Sequence, residues 1–522
     1  MRNGILFTVL ASLLCAAAPA AAQEPTMCVE PHDLDKYQLL RRLSLDLRGQ
    51  VPSIEEYEAL DAEEAVSEAT VQEYLESDAF RLAMRRYHEA MFWPNVSNVT
   101  INDQNALLGS PAGAPPNTLQ IQAANRANKF RGSNTASCGN FEQTEFGPDF
   151  RPINVPTGPD GFKHEGWRMV TPYWDPSIQI KICAYDAQET IVSDDGVPCD
   201  SLAGNNEAEC GCGPNASFCY GPGQVSAIAI RASLREQLNL AVDDVTAGGL
   251  PYTDIVLSTK ARQDGKIALW KRHLVDNVSF NKTYNVADPG EEITDKEWTD
   301  ATWTEVDRKG LHAGVLTLPA YLLRFQTDRG RANRFRIDFM CEYFVPPENP
   351  STVGCDVGAP DLTERCTCEY CHEKLEPMAA HFGLFAEAGT TQMTDAAVFP
   401  SYDAACKDSN NRFCRRFYVT SGDRAGWLLP FEWAEAHPEY ETNLTAGPRK
   451  LAEEIIDSGV FAQCAVKKAF THFVKRDIRA QGDATDEYAL LLSLADDFKA
   501  SGYSFPVLVR KITALSQYRR TR

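Results

Sequence analysis

Basic residues are in short supply: 51 Lys and Arg stand against 72 Asp and Glu, for a net charge of −21. An acidic surface repels phosphate backbones, so nucleic acid is not an expected partner. Two short basic clusters (Arg412, Arg415 and Arg416; Arg519, Arg520 and Arg522) lack interleaved aromatic residues and read as solvated faces. Long hydrophobic runs are also missing. Beyond the N-terminus none reaches the roughly 18 apolar residues of a membrane span, so no transmembrane segment is expected. G-x-S-x-G, H-E-x-x-H, phosphate-loop and dinucleotide fingerprints are absent, and no repeat of 20–50 residues stands out. That removes the motif-bearing hydrolases, kinases and dehydrogenases as starting points.

What is present first speaks of compartment. Arg2 precedes an apolar run from Ile5 to Ala18, then Pro19 and Ala20-Ala21-Ala22-Gln23, which is the pattern of a secretory signal peptide cleaved after Ala22. A lipoprotein would need a small residue before Cys15, where Leu14 stands. The expectation is an exported protein, periplasmic or at the cell surface. Sixteen cysteines fit an oxidising compartment. One leaves with the signal, so an odd number remains and one thiol is expected to be unpaired, with Cys464 the candidate as a buried, inert thiol.

A length of 522 residues suggests about three domains, at roughly 150 residues each. With 43% hydrophobic and 24% charged residues the composition is that of a globular protein. Residues 23–92 read as helical: Asp33 and Asp35 can cap a helix with apolar residues Leu34, Leu39, Leu40, Leu43 and Leu47. Gly49 and Pro52 stop it, and Ser53 with Glu56 makes a capping box for the next helix. The stretch from Val71 to Phe92 reads as one further helix. Residues 93–222 change character: Asn, Gly, Pro and Ser dominate, and six cysteines (Cys138, Cys183, Cys199, Cys210, Cys212 and Cys219) are enough for three disulfides, of unspecified pairing. This predicts an irregular, stapled insertion. Helical pattern resumes in 223–345, notably Val225 to Val245, Pro319 to Leu323 and Ala332 to Phe344, with 276–310 extended or looped. A cysteine-containing segment at 346–420 follows, and then a helical region at 421–522 with segments 447–458, 459–475, 484–499 and 503–519, punctuated by Gly459, Gly482 and Gly502. The fold class expected is mainly α, multi-domain and helical, with a disulfide-stapled insertion and a small c-type cytochrome-like segment.

The chemistry is concentrated in Cys368-Glu369-Tyr370-Cys371-His372. C-x-x-C-H is the attachment signature of c-type haem, and chance would produce it roughly 0.01 times in a chain of this composition. Two thiols three residues apart on a helical turn meet the two vinyl groups, and the adjacent imidazole reaches iron from the same side. Cys368 and Cys371 are therefore the expected covalent anchors of a single haem c, with His372 the proximal iron ligand. A Cys368–Cys371 disulfide, or a zinc site drawing on Cys366, Cys368, Cys371, His372 or His381, are the alternatives. Met393, 21 residues beyond His372, is the distal-ligand candidate, with His381 and Met378 nearer in sequence. Cys355, Cys366, Cys406 and Cys414 can supply two flanking disulfides. His88 is a remote ligand candidate that more simply packs within a helix. Asp194, Asp195 and Asp200 around Gly196 carry only a faint calcium-loop pattern.

Three separated segments carry a family likeness. Arg41-Arg42-Leu43-Ser44-Leu45-Asp46-Leu47-Arg48-Gly49, with Pro52 following, resembles the R-L-S-x-D-L-x-G-x-x-P opening of planctomycete-type cytochrome c proteins. Gly310 to Leu322 and Arg334 to Pro347 resemble the stretch before that family's C-x-x-C-H. Cys371-His372, Leu375-Glu376-Pro377, Gly383 and Glu387 are similar to its C-H-x-x-M-D-P-x-G-x-x-x-E. The chain departs in having Leu375 for Met and an extra Met-Ala-Ala-His before Gly383. Phe461 to Cys464, Arg476, Phe498, Gly502-Tyr503 and Leu508 to Tyr518 are similar to the companion C-terminal domain. The likeness covers about half the chain and none of 93–222. It implies an exported, haem-associated protein and no particular substrate. The function expected is electron transfer outside the cytoplasm, with the acidic surface steering a basic redox partner. The competing expectation is a haem-free, secreted binding or cell-surface module working through its stapled insertion.

Overall fold

The computed structural model describes residues 32–521 except 98, 103, 111–117, 124–136, 160, 202, 248, 276–290, 346–347, 349–353, 355, 360, 388, 394–399, 430–437 and 480–484. The expected signal peptide, Cys28, Cys355, Pro346-Pro347, Gly482 and Arg522 lie outside the described residues.

The described residues open with four helices. In α1 (Lys36–Arg48) the Asp35 carboxylate accepts from the Gln38 amide while the Gln38 side chain accepts from the Asp35 amide, and Gly49 closes the helix at φ 71°. Leu39, Leu40, Leu43 and Leu47 all face the core. The reciprocal box between Ser53 and Glu56 starts α2 (Ile54–Asp61), as their spacing predicts. The expected single helix from Val71 to Phe92 is instead two, α3 (Glu68–Glu76) and α4 (Asp78–Phe92). Ser77 breaks it: its extended backbone leaves α3 while its hydroxyl accepts from the Phe80 amide to cap α4.

The insertion holds a four-stranded sheet of very short strands: β1 (Leu108–Gly109), β2 (Thr118–Ile121), β3 (Trp167–Val170) and β4 (Ile180–Cys183), in the order β1-β2-β4-β3. β2 runs parallel to β4 and the other two pairings are antiparallel. The six cysteines do close three disulfides, Cys138–Cys183, Cys199–Cys210 and Cys212–Cys219. With strands this short, the bridges and a small core around Leu119, Ile121, Val170 and Ile182 hold the layer together.

Beyond it, α5 (Val225–Thr246) packs on α4, tied there by Arg85, whose guanidinium donates to both oxygens of Asp243. The antiparallel pair β5 (Lys260–Gln263) and β6 (Thr304–Asp307) places a strand within 276–310, in keeping with the extended or looped chain expected there. α6 (Pro319–Arg324) leads to α7 (Asp328–Phe335), which passes through a π-helical turn, Arg336–Met340, and stops at Cys341 with φ 55°. This helical stretch starts earlier than the expected Ala332, because Thr327 caps it through the Gly330 amide. It ends before Phe344, where the Cys341–Cys464 disulfide pins the chain. Cys464 is therefore not the unpaired thiol.

The longer helices that follow are α8 (Glu369–Ala380), α9 (Pro438–Asp457, broken at Gly447), α10 (Val460–Val474), α11 (Thr485–Ala500) and α12 (Phe505–Ala514). α7 packs on α8, α8 on α9, and α10 on α11 and α12. The molecule is mainly α. One large core takes in Leu43 of α1, Leu234 of α5, Phe335 of α7, Phe470 of α10 and Tyr518 near the end of the chain. The ends of the described chain meet: the Leu34 amide donates to the Arg519 carbonyl at 2.8 Å and the Tyr518 hydroxyl to Asp46 at 3.1 Å. Arg519 and Arg520 serve this closure, Arg520 pairing with Asp33 at 2.9 Å. No helix among the described residues is long and apolar enough to cross a membrane.

Candidate functional site

Cys368 is the N-cap residue of α8, which places Cys371 and His372 on its first turn. Helical rise and rotation therefore bring both sulfurs and the ring to one end of one short element. All three side chains are half-buried. Of the described cysteines eleven are disulfide-bonded, while Cys368 and Cys371 are free thiols, so the alternative of a bridge between them is not what the structure contains. Two of the bonded cysteines lie near the motif: Cys366 is disulfide-bonded, and Cys406 pairs with Cys414. A bonded Cys366 is unavailable as a zinc thiolate. Among the described residues no group of three or more His, Cys, Asp or Glu side chains is placed to hold a metal ion.

His372 is held from one side. Its Nδ1 is hydrogen-bonded to Glu376 Oε1 one turn further along α8, the i to i+4 relation in which helical side chains meet. The Arg329 Nε, from α7, donates to the same carboxylate oxygen at 2.7 Å. Glu376 is only 5% exposed and Arg329 36%. With Nδ1 so engaged, Nε2 is the nitrogen left for a ligand, and it has no hydrogen-bond partner among the described residues. This donor set fits haem c: two unbridged thiols in the attachment spacing and a neighbouring imidazole whose second nitrogen is open.

A buried guanidinium supports the platform beneath. Arg331 of α7 is fully enclosed, donating to Asp328 at 3.0 Å, to the Phe325 carbonyl at 3.0 Å, and to the Phe385 and Ala386 carbonyls at 2.9 and 2.8 Å. It thereby fixes the turn that follows α8 to the helix that carries Arg329.

The other candidates have separate surroundings. Met393 is buried in a satellite cluster with Ala386, Cys406, Cys414, Phe417, Tyr418 and Leu428. His381 is buried, its Nδ1 hydrogen-bonded to the Gly447 carbonyl at 2.8 Å, and burial lowers its pKa. Met378 packs at the edge of the main core. Asp194 is taken by a two-pronged bond from Arg151 at 2.9 and 3.0 Å, and Asp200 faces His273 at 3.4 Å, so these carboxylates form no calcium loop. Glu376 lies within the motif likeness, and its four-residue step from His372 is the signal for their contact; Arg329 is the residue that motif reading misses, 47 residues before Glu376 with no local cue.

His88 has both ring nitrogens occupied, Nδ1 with the Met84 carbonyl at 2.8 Å and Nε2 with the Tyr252 hydroxyl at 2.9 Å. Burial pushes its pKa down to about 4. Because the folded value lies below the unfolded one near 6.5, the unfolded chain binds the extra proton first. The group's contribution is whole above about pH 6.5 and is lost as pH falls toward 4, reaching about 2 kcal/mol by about pH 4.5. Asp338 opposes it: burial raises that carboxyl to about 6, so its contribution is lost as pH rises. Urea unfolding of wild type and His88→Gln at pH 7 and 4.5 isolates the histidine. The gap between the two proteins should be smaller by about 2 kcal/mol at the lower pH, and a gap independent of pH contradicts a buried neutral imidazole.

Comparison of the chain with protein-family models, curated proteins and solved structures finds no match.

Proposed function

We propose that the chain is an exported, mono-haem c-type cytochrome-like protein that moves electrons outside the cytoplasm. The observation that carries the reading is the pair of free thiols, Cys368 and Cys371, in a chain whose other described cysteines are all bridged. In an oxidising compartment a free C-x-x-C pair is expected to close on itself or to be consumed in other covalent bonds. Thioether attachment explains why this pair stays unbridged beside an imidazole with an open Nε2. Cys368 and Cys371 anchor the group, and His372 Nε2 ligates its iron from the same face of α8. When bound, the haem supplies one-electron redox chemistry. The disulfides support an oxidising compartment, and the apolar N-terminal run supports export. The net charge of −21 favours a basic redox partner. The likeness to planctomycete-type cytochrome c proteins points the same way.

Haem staining of a denaturing gel tests this, using protein expressed with c-type maturation machinery. Wild type should stain, and Cys371→Ser should lose the stain that survives denaturation. An unstained, colourless wild type beside a working control cytochrome sinks the proposal. The search for function then moves to the stapled sheet of residues 93–222.

A further inference from the structure

We propose that Glu376 is the positioning residue for His372 and that, balanced by Arg329, it sets the redox potential of the iron that His372 holds. The inference rests on the haem reading above.

An imidazole offers iron only the nitrogen that lacks the proton, and that choice is made by what the other nitrogen bonds to. Here Nδ1 faces a carboxylate from its own helix. Nδ1 therefore keeps its proton and gives it in a charge-assisted hydrogen bond, while the Nε2 lone pair points away. A carboxylate acceptor draws that proton more strongly than a peptide carbonyl does, so the ring becomes a more electron-rich ligand. An electron-rich ligand favours the oxidised metal and lowers the potential.

Burial decides whether this charge matters. An exposed helical pair four residues apart contributes little and is screened by salt. Glu376 is 5% exposed, packed between α7 and α8, so its charge is felt by the ring with little water between them. Arg329 completes the arrangement. Its Nε reaches the same Oε1 at 2.7 Å, so two donors share one oxygen. Arg329 draws on the electron density that Glu376 offers His372 and moderates it. The residues on either side of the ring-to-carboxylate bond thus pull in opposite directions, and their removal should leave opposite signatures.

Spectroelectrochemical titration of the full-length, haem-loaded protein reads them. Glu376→Gln keeps an acceptor without the charge, and its midpoint potential should rise relative to wild type. Arg329→Gln frees the carboxylate, and its potential should fall. Glu376→Asp restores the carboxylate and should return the potential toward the wild-type value, a rescue that a merely structural role does not produce. Should Glu376→Gln fail to mature, the downward shift of Arg329→Gln and the rescue by Glu376→Asp carry the same sign test. Stained variants whose potentials stay unmoved, or move in one common direction, overturn this inference alone. A wild type without covalent haem overturns the haem reading and this inference together.

Discussion

Replacing Cys341 and Cys464 together by alanine should lower the unfolding free energy by about 3–5 kcal/mol. The bridge joins the end of the α7 helical stretch to α10 across a sequence separation of 123 residues. A cross-link over so long a loop removes much of the conformational freedom of the unfolded chain, with an expected effect of about 4–5 kcal/mol for a loop of about 100 residues. Cys464 is also buried, so truncation adds a small packing loss. Urea denaturation under non-reducing conditions measures it. A double variant with an unchanged midpoint refutes the bridge. Since α7 carries Arg329 and Arg331, the loosened protein should also hold the start of α8 less firmly.

Arg331→Met is the second large expected loss, again about 3–5 kcal/mol by urea denaturation. The guanidinium is wholly enclosed and satisfies the Phe325, Phe385 and Ala386 carbonyls as well as Asp328. Burial raises the Asp328 pKa and lowers that of Arg331, so desolvation outweighs their mutual attraction on both sides. Removing the arginine leaves a buried carboxyl and the Phe325 and Phe385 carbonyls without their donor, and a methionine of similar length cannot supply one. Asp328→Asn removes the charge that would be stranded. The double variant should therefore lose less than the sum of the singles. A single-variant loss under about 1 kcal/mol would mean that water or local rearrangement replaces Arg331.

The local devices of this fold are legible in the sequence. Ser53 and Glu56 announce their capping box, Gly49 its left-handed stop, and Asp35 its helix start, because each acts within four residues of itself. The motif helix is legible for the same reason, as Cys368, Cys371 and His372 share one turn. Ser77 shows the limit: the apolar spacing across residues 71–92 suits one helix or two, and a single hydroxyl decides between them. The sheet in the insertion escapes notice because strands of two to four residues leave no alternation to read. Cys341–Cys464 and Arg329–Glu376 are contacts between distant segments, and nothing beside either residue in sequence announces its partner.

The contact between α1 and the segment after α12 joins residues far apart in sequence. Tyr518 seals the face of α1 through Asp46, 472 residues away, and α12 and the residues after it belong to the core that α1 opens. The first described helices lack their covering until residues 505–518 pack on them. Contacts of such long sequence separation carry a high loop-closure cost and slow folding. The Cys368-to-His372 segment emerges well before that closure.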